Sequence, residues 1–348
     1  MNRRSVILLG LGIVLAATAA TTANGRGGAS PKVVTTRGAI ESLGIDGQMI
    51  AYDLEARELG CNTVHARNAH TGKDVVVSGK LTCEADSTST GSGVPQVVIA
   101  GTRVAWIVNL GGNTESTDFL FTAKVTGKEV QVAKATRTGD IDGELDGDWI
   151  ANLAGDGDLI VVNRWKALAG GVQDGQQLAR IQNVLKPLAS GPGALHIRGA
   201  DTGRIVVQNG RAVLVYSQTG ALIQQFAPAA VPIDVAIRKD FVVVLTEAAT
   251  LAVHDAASGA KLDTIPVPAG GRSLDLHANI ATFVVGKTVR AVRLATGKQA
   301  VIATAPKAIV DAQIDDAGLV YAYNPTTGVK GVGKLVFVPL SLVQAKLT

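Results

Sequence analysis

The nine residues Asp140-Ile-Asp-Gly-Glu-Leu-Asp-Gly-Asp148 carry the densest acidic run in the chain, and acids at that spacing suggest a cation. Counted from Asp142, the acids Asp142, Glu144 and Asp146 fall at positions one, three and five, Gly147 at six, and Asp148 just beyond. That is how a calcium loop opens. The twelfth position needs a bidentate Glu and holds Leu153, so calcium stands second to a simpler reading: a strand with an outward polar face and a turn at Asp146-Gly147.

A second stretch, Asn68 to Val77 (NAHTGKDVVV), raises the question of a phosphate cradle. A P-loop needs a glycine five residues before its Gly-Lys pair and Ser or Thr after the lysine; here those places hold Arg67 and Asp74. Thr71-Gly72-Lys73 therefore reads as a turn, with Lys73 in solvent.

The histidines His65, His70, His196, His254 and His277 never fall at metal-ligand spacing. His196 and His277, with Asp234 and Asp275, lie in stretches that read as strands lining a central passage. Together they make the one acid-base set on which an extracellular lyase or hydrolase could be built. The competing reading is a polar lining without chemistry. The sequence has no Gly-x-Ser-x-Gly elbow and no His-Glu-x-x-His pair. Trp106 and Trp149 read as core and Trp165 as lying near an irregular insertion, which leaves few aromatic platforms for a lectin.

The elements that position these residues follow from repetition. Short alternating apolar runs separated by Gly, Asp and Asn indicate an all-β chain. The Thr-Gly-Lys phrase recurs around Gly72, Gly127, Gly220, Gly259 and Gly297, each time between two strands, and its last two intervals are 39 and 38 residues. That is the length of one four-stranded propeller blade. A second turn precedes each unit's glycine: Asp46-Gly47, Ala100-Gly101, Asp146-Gly147, Asp201 to Gly203, Arg238 to Asp240, His277 to Asn279 and Asp315 to Gly318. The expectation is a seven-bladed β-propeller of four-stranded antiparallel blades over residues 38–348. Residues 24–37, through Val33-Val-Thr-Thr, would supply the outer strand that closes the ring. The run from Lys166 to Gly191 reads equally as a short helix or an outer strand. A weak last strand is expected in Ser341 to Leu347.

Arg3-Arg4, the apolar run Val6 to Ala17 and the small residues after it have the form of a secretory signal peptide over residues 1–23. The expected setting is therefore extracellular or the cell envelope, with no membrane insertion once the leader is cleaved. There the two cysteines, Cys61 and Cys83, would form a disulfide. The 33 Lys and Arg are scattered against 29 Asp and Glu, a balance and distribution that argue against nucleic acid.

The phrases Ala66 to Val76 and Ala291 to Val301 resemble the repeat of quinoprotein-like propellers, and more generally of WD40-like and TolB-like ones. The docking tryptophan of the quinoprotein pattern is replaced by Val76 and Val301, and its acid by Asn68 and Arg293. The resemblance thus implies a fold without the quinone chemistry. The function expected is non-enzymatic: a monomer without cofactors that binds a protein or cell-envelope ligand through its loop face. That face would be built from Glu55 to Cys61, Leu110 to Thr117, Lys166 to Gly191 and Asn324 to Gly333.

Overall fold

A computed structural model of the chain describes residues 30–55, 61–86, 93–112, 114–139, 146–168, 172–191, 195–201, 203–328 and 331–348. A strand that belongs to the last sheet, β1 (Lys32–Thr35), precedes the first sheet, which holds β2 (Leu43–Asp46), β3 (Met49–Leu54), β4 (Thr63–Asn68) and β5 (Asp74–Val76). A short helix, α1 (Lys80–Asp86), leads out of it. An eight-stranded sheet follows: β6 (Gly93–Ala100), β7 (Arg103–Leu110), β8 (Glu115–Lys124), β9 (Val130–Thr138), β10 (Asp146–Asp156), β11 (Leu159–Leu168), β12 (Val172–Ile181) and β13 (Leu185–Gly191).

Two regular four-stranded sheets come next. The first holds β14 (Leu195–Asp201), β15 (Arg204–Asn209), β16 (Ala212–Ser217) and β17 (Leu222–Phe226); the second holds β18 (Pro232–Arg238), β19 (Phe241–Thr246), β20 (Thr250–Asp255) and β21 (Lys261–Pro266). A third is made by β22 (Gly271–His277), β23 (Ile280–Val285), β24 (Thr288–Arg293) and β25 (Lys298–Thr304). The last sheet joins β26 (Ile309–Asp315), β27 (Gly318–Thr326) and β28 (Val332–Pro339) to β1, and the chain ends in helix α2 (Leu340–Lys346).

The sheets stand in a propeller ring. Their first strands, β2, β6, β10, β14, β18, β22 and β26, touch one another in that order, and β26 returns to β2. Apolar residues fill the gaps between neighbouring sheets: Val289, Ile314 and Leu319 pack between the last two, and Val207, Ile205 and Leu159 between β10–β12 and β14–β16. Middle strands such as Phe241 to Leu245 are apolar throughout because they are covered on both faces.

The turn glycines sit where the repeat placed them, between the third and fourth strands. Gly72, Gly220, Gly259 and Gly297 have φ between 67° and 90°, which L side chains rarely adopt. Closure comes from the N-terminus, with Lys32 opposite Phe337 and Thr35 opposite Lys334 across an antiparallel pair.

Several expectations are corrected. The sheets divide into five of four strands and one of eight, where seven separate blades are expected. The join is the short pairing of Thr138 with Asp146 and Arg137 with Gly147. Gly147, at φ 139°, makes this possible: a Cβ there would lie 2.4 Å from the Thr136 carbonyl oxygen. Gly147 is therefore inside β10, and the turn that follows this inner strand is at Gly157. Within 166–191 the described residues form the end of β11 and the strands β12 and β13, so the outer-strand alternative holds there and the helix does not. The last segment is the helix α2, whose Val343 packs into the core, because β1 occupies the outer position.

Candidate functional site

In an antiparallel meander, the connection from second to third strand and the one from a sheet to the next emerge at the same end. These are the long connections here: 55–62, 77–92, 111–114, 139–145 and 327–331, against the tight turns at Gly210-Arg211 and Gly286-Lys287. That end is the loop end of the channel; the Thr-Gly turns lie at the other.

The channel is a cavity of about 560 Å³ lined by the inner strands. Each of these strands except β2 has a bulge in its pairing with the second strand, as between Ile197 and Gly199 or Arg272 and Asp275. Bulges turn side chains out of the regular alternation and into the passage. Polar side chains on or beside the inner and second strands staple each sheet to its neighbour. Ser42 Oγ accepts from the Val97 N–H (2.9 Å), and Gln96 exchanges two hydrogen bonds with the Leu153 backbone (2.8 and 3.0 Å). Asn163 donates to the Leu195 carbonyl (2.5 Å), and Gln208 to that of Pro232 (3.2 Å). Gln313 closes the ring by binding the Leu43 carbonyl and the Ile45 N–H.

Asp234 and Asp275 belong to this set. Asp234 accepts from the Leu274 N–H (2.8 Å) and Asp275 from the Ile314 N–H (2.7 Å), each reaching the next sheet. Burial pushes the Asp275 carboxyl up to about 7 against the pull of those N–H groups, and it raises Asp234 and Asp311 in the same way. His196 is elsewhere, at the loop end, with Nδ1 3.4 Å from Asn152 Oδ1. Burial, and then Arg198, lower its pKa and keep it neutral. His277 is at the turn end beside Asp315 and Asp316. Among the described residues no hydrogen bond joins any two of these four, so the structure does not gather them into one acid-base site.

Of the calcium candidates, Asp142 and Glu144 lie outside the described residues. Asp146 sits in the β9–β10 join, and Asp148 is exposed on β10. Cys61 and Cys83 form a disulfide that ties the start of β4 to α1. Lys73 is exposed.

The site that the sequence did not announce is a groove of about 560 Å³ at the loop end, beside the β9–β10 join. Trp149 and Trp165, opposite each other on β10 and β11, stack with centroids 4.7 Å apart and planes 4° from parallel. The Arg137 guanidinium carbon lies 3.5 Å over the other face of Trp149. Arg137 is 4% exposed and paired with Asp118, at 2.6 and 3.3 Å, and Asp118 also accepts from the Ile150 N–H and from Asn109. Asn152 and His196 complete the wall. The result is a rigid, half-buried aromatic stack with its charge internally neutralised, edged by an amide and a neutral imidazole. Such a surface can hold a ligand by apolar contact and neutral hydrogen bonds. Trp106, by contrast, is core: it is fully buried and its indole N–H donates to Thr82.

No protein-family model matches the chain, and no curated protein matches it. Solved structures do. A chain of the mitotic checkpoint complex superimposes with a TM-score of 0.58 at 11% identity, covering 96% of this chain and 99% of that one. Sqt1 of Saccharomyces cerevisiae gives 0.51 at 12%, covering 87% and 96%. The computationally designed Ika8 protein gives 0.50 at 13%, covering 87% and 98%. Identities this low speak to architecture alone, and together with the ring of antiparallel sheets they show a WD40-like β-propeller fold.

Proposed function

We propose that the chain is a secreted, non-enzymatic binding or scaffold module that takes a protein or cell-envelope ligand at the loop end of its channel. The observation that carries this reading is the Arg137–Trp149–Trp165 stack, a preorganised wall at the end of the fold where the connections are long. Tryptophan and arginine held rigid in a partly desolvated groove are the residue types that anchor protein interfaces, and rigidity lowers the entropy lost on binding. Propellers of this kind serve widely as rigid discs that present loops.

The disulfide and the leader-like first 23 residues support export. Among the described residues no helix is long and apolar enough to cross a membrane. In this reading residues 24–37 complete the last sheet, residues 38–348 form a monomeric propeller, and no cofactor is required. The eight-stranded sheet counts as two blades, giving seven. Two features support that count: the closed circuit of inner strands, and the apolar layer of Ile107, Leu120, Ile150 and Val162 packed between its two halves.

Affinity capture from secreted and envelope fractions tests the reading, with the chain from Asn24 onward as bait. A partner held by the intact protein and released by a Trp165→Ser/His196→Ala variant supports it. A partner held equally by both contradicts it.

A further inference from the structure

The opposite end of the channel is acidic. The hairpins that leave the inner strands place Asp46, Asp156, Asp201, Asp315 and Asp316 at this end, and three of them, Asp156, Asp201 and Asp315, face the guanidinium of Arg238. Arg238 Nη1 is bonded to Asp156 Oδ1 and lies 3.7 Å from Asp201 Oδ1, while Nη2 is 3.0 Å from Asp315 Oδ1.

His277 is set into the same end. The residue is 9% exposed, and its Nδ1 is buried with no hydrogen-bond partner. That nitrogen points at two carboxylates, 3.6 Å from Asp315 Oδ1 and 3.5 Å from Asp316 Oδ1, and one ligand atom from each of the three lies within 4.8 Å of the others. Separations of this size are too long for a hydrogen bond. They are close to the ligand-to-ligand edge of a tetrahedral site, about 3.3–3.4 Å for bonds of about 2.0–2.1 Å. A buried imidazole nitrogen that faces two carboxylates without a hydrogen bond of ordinary length to either calls for an explanation, and an ion supplies one.

We propose that His277, Asp315 and Asp316 bind a divalent transition-metal ion of the zinc class. An imidazole beside two carboxylates favours such an ion over calcium or magnesium, which take oxygen ligands. Three protein ligands leave the remaining positions open on the side of Asp316, whose side chain is 76% exposed. Arg238 keeps Asp156 and Asp201 when Asp315 Oδ1 turns to the metal. The ion would clamp the hairpin after β22 to the hairpin after β26, across the interface between two sheets. This site is independent of the loop-end groove.

The test is equilibrium dialysis against zinc chloride, with metal analysis and thermal melting, on the mature chain and on Asp316→Asn and His277→Gln. The intact protein should retain about one zinc per chain and melt higher with zinc than without. Both variants should bind at least about tenfold more weakly. Asp316→Asn, exposed in the fold, should melt like the parent without metal, so its result stands even if His277→Gln folds poorly. No retained zinc, or zinc held as tightly by Asp316→Asn as by the parent, overturns the proposal.

Discussion

The guanidinium carbon of Arg137 lies 3.5 Å over the ring of Trp149 while both of its terminal nitrogens hold Asp118, so one buried ion pair fixes the aromatic wall of the groove. Removing the cation leaves a carboxylate only 3% exposed without its charge partner. Arg137→Met is expected to cost about 3 kcal/mol. The Arg137→Met/Asp118→Leu double variant should recover part of that loss, as read by urea unfolding.

Asp53 gives a pH dependence. Its Oδ1 accepts from the Glu41 and Ser42 N–H groups while Oδ2 is buried without a partner; burial, with help from the Glu41 carboxylate, pushes its pKa up to about 8. A folded-state value above the unfolded one means that the native protein holds the extra proton between about pH 4 and pH 8. This carboxyl therefore makes stability fall as pH rises through that window, by at most about 1.4 kcal/mol per pH unit. Asp53→Asn keeps the Oδ1 acceptor and should remove that slope in unfolding titrations from pH 5 to pH 9.

The Cys61–Cys83 bridge spans 22 residues and holds α1, where Thr82 receives the Trp106 indole N–H and donates to Glu129. Reducing it, or replacing both cysteines with serine, is expected to cost about 3 kcal/mol and lower Tm.

Closure by β1 covers the edge of β28. A chain starting at Arg37 should melt lower than the mature protein and associate with rising concentration, because the open edge can pair with another copy. Sedimentation of the two forms distinguishes this from simple loss of stability.

Much of the fold is legible in the turns. Gly72, Gly220, Gly259 and Gly297 mark hairpins because positive φ is a local demand that the sequence must satisfy locally. Gly147 carries the same signature for a different reason: it admits the backbone of β9, the outer strand of the preceding four, which the repeat pattern assigns to a separate blade. Taking it for a turn shifts the third unit by one strand. Trp149 then appears to sit in a covered middle strand, when it stands at the open end of an inner one. Arg137 and Asp118 have no motif, since their pairing depends on which strands adjoin. His277 meets Asp315 and Asp316 only because neighbouring sheets bring two hairpins together. Asp234 and Asp275 are legible as channel residues, but their hydrogen bonds to the next sheet depend on bulges that the alternation conceals.

The most direct test of the loop-end reading is site-specific photo-cross-linking in the presence of the secreted and envelope fractions. One photoreactive residue would replace Lys166, exposed near the groove, and another would replace Thr219, in a turn at the far end of the channel. The account predicts a discrete adduct from position 166 and none from position 219. An adduct from 219 with none from 166 would contradict it.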